Sequence, residues 1–259
     1  MHLSTRETLL AAALLEASDT LSDGFDARRY LERLSDHCVE ILGARAAGIM
    51  LINGGEAVSL AVSSRQQDVA LDLLTVQHHG GPCIDSYGTG RPVPPVSISV
   101  AHAASRWPDF TERALRHDIV ATFAVPLRRR ETLLGALNVF VPTLPEHDAP
   151  PEGHWSVRLA QVLADAASVG LQNHRVYAEY RTLAEQLQMA LSSRVRIEQA
   201  KGMLAERWGT GVDQAFMALR QYARRHRLPL DEVATGVIDG SVDRDDLSGG
   251  PPRSSQRLE

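Results

Sequence analysis

The sequence predicts an α+β fold in two parts. A mostly antiparallel sheet with flanking helices comes first, and one long helix then leads into a small three-helix bundle. Three observations predict it. The chain has 259 residues, more than a typical single domain holds. Up to Val141, helix-patterned and strand-patterned runs alternate, punctuated by Gly, Asn and Pro. From His154 to about Trp208 there is no proline. There Leu159, Leu163, Ala166, Gly170, Asn173, Tyr177, Tyr180, Ala184, Leu187 and Leu191 recur by fours and threes, a heptad seam.

Thr5 to Leu21 reads as an amphipathic helix with Leu9, Leu10, Ala13, Leu14 and Ala17 on one side, broken by Ser22-Asp23-Gly24. Asp26 caps a second helix that ends at Gly43 and turns Tyr30, Leu34, Cys38, Ile41 and Leu42 inward. Ala46 to Ile52 and Ala57 to Ser63 are strands. The Asn53-Gly54-Gly55 turn joins them, because Asn and Gly accept the left-handed backbone of a tight hairpin. Gln67 to Val76 is helical. Gly80 to Val93 reads as loop with one helical turn. Pro92 to Ser99 reads as an edge strand, since its prolines cannot donate to a ladder. A short helix follows from Trp107 to His117. Ala121 to Leu127 and Leu133 to Val141 are strands joined by an exposed turn over Arg128 to Glu131.

The long helix packs on the sheet through its first third. Gly170 and Asn173 weaken its seam, and two shorter helices kinked near Gly170 are the alternative. At its end Ile197, Ala200 and Leu204 form an apolar stripe, and Gly209-Thr210-Gly211 turns the chain. The next helix carries Ala215, Phe216, Leu219 and Ala223, with Phe216 assigned to the core. The last, Asp231 to Ile238, carries Val233, Ala234, Val237 and Ile238. None of the three buries its stripe alone. Ser241 to Glu259 is rich in Ser, Gly, Pro and mixed charge and is expected to be disordered.

A net charge of −5 argues against an indiscriminate polyanion binder, but the sign is uneven. Arg194 to Arg227 holds eight Arg or Lys against Glu198, Glu206 and Asp213, a local excess of five. That excess suits a phosphate-binding patch or a solvated helix face. Cys38 and Cys83 form neither a metal spacing nor a disulfide framework, and the adjacent His78 and His79 cannot face one way. No metal site is expected. The first residues do not read as a signal peptide and no run approaches a membrane span, so a cytoplasmic protein is expected.

Ser193-Arg194, Ile197, Ala200-Lys201-Gly202-Met203-Leu204, Ala215-Phe216, Leu219-Arg220, Ala223-Arg224 and Leu230-Asp231-Glu232-Val233-Ala234 together closely resemble the ANTAR domain. The resemblance implies RNA binding: such proteins dimerise and hold paired RNA hairpin loops, so that a transcription terminator cannot form. Upstream, Gly81-Pro82-Cys83 with Gly90-Arg91-Pro92-Val93, then Val125-Pro126-Leu127 and Gly135-Ala136-Leu137-Asn138-Val139-Phe140, resemble the GAF fold. The expected layout is a GAF-like sensor with its N-terminal helices over residues 1–172 and a coiled-coil connector over 173–192. An ANTAR domain over 193–240 and the tail follow.

The resemblance points to a signal-responsive antitermination regulator: a homodimer, not an enzyme, with RNA as partner. RNA loops are held by basic groups on phosphates and by stacking on splayed bases. Arg194, Lys201, Arg220, Arg224 and Arg225 could supply the first. Tyr222 could stack on a base or form part of the core. Gly202 could admit the RNA backbone or serve helix packing. No cofactor is expected, apart from an unidentified small-molecule ligand near Gly80 to Arg91, with His79, Cys83, Tyr87 and Arg91 as candidate contacts. Cys83 reads as a small buried residue rather than a sensor. Two other functions fit less of the chain. One is a DNA-binding regulator, since three short helices suit a helix-turn-helix. The other is a redox enzyme akin to methionine sulfoxide reductases, which rely on several cysteines.

Overall fold

The computed structural model describes residues 3–22, 24–54, 56–143, 155–242 and 247. The chain divides into two compact units, Met1–Tyr177 and Ala178–Glu259.

In the first unit, α1 (Leu3–Ser18) and α2 (Ala27–Leu42) precede a hairpin of β1 (Ala46–Asn53) and β2 (Glu56–Val62). The Asp26 carboxylate accepts from the Arg28 and Arg29 amides and starts α2; Gly43, at φ 65°, ends it. Then come α3 (Gln67–Thr75), a 3-10 turn (Val76–His79), α4 (Pro82–Thr89), β3 (Val93–Ser97), α5 (Ile98–Ala103) and α6 (Pro108–Arg116). The strands β4 (Ala121–Arg129) and β5 (Thr132–Val141) complete an antiparallel sheet in the order β2-β1-β5-β4-β3. The proline-bearing β3 lies at an edge, where a missing N–H costs no ladder bond.

Alternation along the strands builds two cores. Phe123, Val125, Leu127, Leu137 and Val139 face α1, α2 and the start of α7 (Trp155–Trp208). Met50, Ala124, Ala136 and Phe140 face α3, α4 and α6. Gly135 has no room for a side chain: a Cβ there would collide with the Met50 carbonyl and lie 2.9 Å from Leu51 Cα.

Two segments depart from the sequence reading. Gly80 to Val93 is not loop with one turn but holds the eight-residue α4. Pro82 occupies its first turn and Gly90, at φ 63°, its C-terminal cap, so the Gly and Pro that suggested loop punctuate a helix. The unexpected α5 starts where Ser97 Oγ accepts from the Val100 amide. In addition, β4 and β5 run further than expected, so their turn narrows to Arg130-Glu131.

The long helix is continuous through Gly170. A Cβ at Gly170 would strike the Tyr30 hydroxyl and lie 2.7 Å from the Ala17 carbonyl, so this glycine admits α1 and α2 against α7 rather than kinking it.

In the second unit, the end of α7, α8 (Val212–His226) and α9 (Leu230–Asp239) share a core of Ala200, Leu204, Ala215, Leu219, Ala223, Val233, Ala234 and Val237. Gly209, at φ 63°, ends α7 as the sequence suggests. The expected tail lies outside the described residues except for Ser241, Val242 and Leu247, the last buried against this core.

Candidate nucleic-acid interface

The second unit concentrates basic side chains on α8 and its C-terminal cap. One flank of α8 carries Phe216, Arg220 and Arg224 at successive steps of four, which stacks them along one line. The helix ends at Arg227, a non-glycine residue at φ 55°. Its amide donates to the Ala223 and Arg224 carbonyls, and Leu228 N donates to Ala223 O at 2.9 Å. Pro229 follows and forbids continuation. This left-handed cap places Arg227 beside Arg220 and Arg224, and the three arginines with Ala223, Leu228 and Leu230 line a shallow cleft of about 340 Å³. Among the described residues, none of the three has a carboxylate within ion-pair distance. Like charges held together without counter-charge raise the local potential and suit a polyanion.

Phe216 is not the core residue that the sequence suggested. It is half-buried, with Lys201 Nζ 5.0 Å and Arg220 Cζ 5.7 Å from its ring centroid. The ring face attracts both cations and orients them. Lys201 is further held by Glu198, with Nζ 2.9 Å from both carboxylate oxygens, and its side chain is only 14% exposed. Its amine thus lies between the Glu198 carboxylate and the Phe216 ring.

The other expected RNA contacts separate clearly. Arg194 is exposed on α7, and Gly202 is exposed with nothing within 4 Å of where a Cβ would stand. Helix packing therefore does not account for Gly202. Tyr222 packs partly on the core, as one of its readings had it, and its ring stacks on His226, with ring centroids 4.1 Å apart. Arg225 is exposed but turns about 100° further round α8 and does not line the cleft. Arg227 completes the cleft and is not marked by the steps of four along α8. Its signal was its place just past the last apolar position and two residues before a proline, where a helix cap belongs. Behind the interface, Arg196 Nη2 reaches Asp231 Oδ2 at 3.1 Å and ties α7 to α9.

The four candidate ligand contacts of the first unit are not brought together. Cys83 is fully buried in the core under α4, and burial pushes its thiol far above the ordinary range. Its amide donates to Gln77 Oε1 at 2.8 Å, and Gln77 is itself buried. Tyr87 packs against the same core. His79 is exposed, its ring 3.7 Å from Asp109. Arg91 lies on a different cleft. Cys38 sits in the other core, across the sheet from Cys83, and both thiols are free. Among the described residues, no group of three His, Cys, Asp or Glu could hold a metal ion, and no helix is long and apolar enough to cross a membrane.

Comparison with known proteins bears on each part. Residues 185–238 match the ANTAR domain family. No curated protein matches the chain. Among solved structures, the free methionine-R-sulfoxide reductase from Neisseria meningitidis is 17% identical, over 66% of this chain and 91% of its own, with a TM-score of 0.47. The GAF domain of the Acinetobacter phosphoenolpyruvate-protein phosphotransferase is 10% identical, over 68% and 97%, with a TM-score of 0.45. The GAF domain of the cyanobacteriochrome TePixJ is 17% identical, over 60% and 95%, with a TM-score of 0.43. The chain therefore joins a five-stranded antiparallel sheet between helices to a C-terminal segment, residues 185–238, that matches the ANTAR domain family.

Proposed function

We propose that this protein is a transcription antiterminator: two copies present their ANTAR units to a pair of adjacent RNA hairpins, under control of the GAF-like unit. The observation that carries the RNA reading is the cleft lined by Arg220, Arg224 and Arg227, which lies within the matched domain. Its arginines offer planar forks to phosphates, and the neighbouring Lys201–Phe216–Arg220 stack holds one of them in place. The open backbone at Gly202 gives RNA a second place to approach closely.

The dimer rests on α7. Residues 178–191 are all exposed, yet Tyr180, Leu183, Leu187 and Leu191 form an apolar stripe along them. A single solvated stretch of this length is marginal as a helix, and a second copy would cover the stripe.

The test is binding of the full chain to RNA with two adjacent short hairpins, beside single-hairpin RNA and duplex DNA, across a salt series. Selective binding to the paired hairpins, lost in Arg220→Gln and Arg224→Gln with the fold intact, is expected. Preference for duplex DNA at matched salt would transfer the cleft to the DNA-binding reading.

A further inference from the structure

A second arginine cluster stands in the first unit, unrelated to the ANTAR match. Arg91, Arg128 and Arg158 line one cleft of about 560 Å³ between the edge strand β3, the end of β4 and the first turns of α7. All three are exposed, and none has a carboxylate within ion-pair distance among the described residues. Each comes from a different part of the unit, so chance crowding along one helix does not explain them.

The backbone is arranged to bring them there. Along β4, Phe123, Val125 and Leu127 face the α7 side, so strict alternation would send Arg128 to the opposite face. Arg128 lies beyond Ala124, the last β4 residue paired with β3, and there it lines the cleft with Val157, Arg158 and Gln161 of α7; the extra residue of the register slip beside it is Leu134, on β5. Arg91 is fixed at its main chain: Thr89 Oγ1 accepts from its amide and Ser86 Oγ donates to its carbonyl. Gln161 donates to the Pro126 carbonyl at 3.1 Å and to Asp165 Oδ1 at 2.8 Å, which ties α7 to β4 at the cleft floor.

We infer that this cleft binds a small phosphorylated anion. Three guanidiniums without a carboxylate partner among the described residues match the oxygens of a phosphate or diphosphate. Pro92, Pro94 and Val157 offer apolar wall for the uncharged part of the molecule. The volume lies within the range of small-molecule sites, and a concave pocket of that size suits a compact anion better than a strand of RNA. Of the ligand contacts that the sequence suggested, this cleft takes in Arg91 and not Cys83, which is buried beside Gln77. It would give the first unit an input of known chemistry.

The test is calorimetry on the full chain with inorganic pyrophosphate and ADP, with adenosine as the uncharged control. Pyrophosphate and ADP are expected to bind and adenosine is not. Arg128→Gln and Arg158→Gln should each weaken binding about tenfold or more, as loss of a charge-assisted contact does. Circular dichroism of these surface variants should be unchanged. Three results would overturn the inference. The first is no binding of either anion at about millimolar concentration. The second is binding that survives both variants but falls in Arg220→Gln, which would place the anion in the ANTAR unit. The third is loss of RNA binding in Arg158→Gln together with displacement of pyrophosphate by RNA, which would make the cleft part of a nucleic-acid surface.

Discussion

A methyl group added at Gly202 would meet nothing, whereas one added at Gly170 would strike the Tyr30 hydroxyl and the Ala17 carbonyl. Opposite outcomes follow for the same substitution on one helix. Gly202→Ala should stabilise the protein by about 0.5–1 kcal/mol, the helix cost of glycine, while weakening RNA binding if backbone approach occurs there. Gly170→Ala should destabilise by about 1–3 kcal/mol through overpacking. Urea unfolding of the two variants checks both signs. The cysteines give a pH prediction. Burial pushes the Cys38 thiol from near 9 up to about 12 and Cys83 in the same direction. The folded state then keeps protons that the unfolded state releases, so their stabilisation is intact below about pH 9 and falls as pH rises towards about 12. Denaturant melts across that window should show the decline. In the native protein at neutral pH neither thiol should react with iodoacetamide; rapid labelling of Cys83 would revive the reductase reading.

At the level of elements, the helices and strands with a clean period were legible. Asp26 and Gly43 bounded α2, and the alternation of β4 and β5 fixed their faces. Helix α4 was not, because a proline and glycines that signal breaks in a sequence here form a first turn and a cap. The basic face of α8 was half legible. Steps of four joined Arg220 to Arg224, but the position of Arg227 depends on a left-handed cap, and the exposure of Phe216 depends on two cations from different helices. Spacing within one helix shows neither. Arg227→Gln should therefore weaken RNA binding as much as Arg224→Gln, each lowering the salt slope by about one phosphate contact, and Arg225→Gln should change it less. Equal slopes for all three variants would disconnect the cleft from RNA. Phe216→Ala should release Lys201 and Arg220 and cost affinity without removing a charge.

For the whole molecule, the uncovered stripe on α7 is decisive. Tyr180 is 69% and Leu187 57% exposed, and a charged residue among them should abolish self-association. Leu187→Glu is expected to shift sedimentation from dimer to monomer, with the far-ultraviolet helix signal lowered and the sheet unit intact. A wild-type chain that sediments as a monomer at all concentrations would remove the dimer from the proposed function. The seam is readable because its period is a property of the sequence, whereas the proposed partner copy lies outside any one chain. If the stripe is covered by another copy, as proposed, the pairing obeys mass action. In the dilute regime, doubling the amount of protein made by a cell would roughly quadruple the paired species. The abundance of this chain would then set how much of it is competent, before any signal molecule is bound.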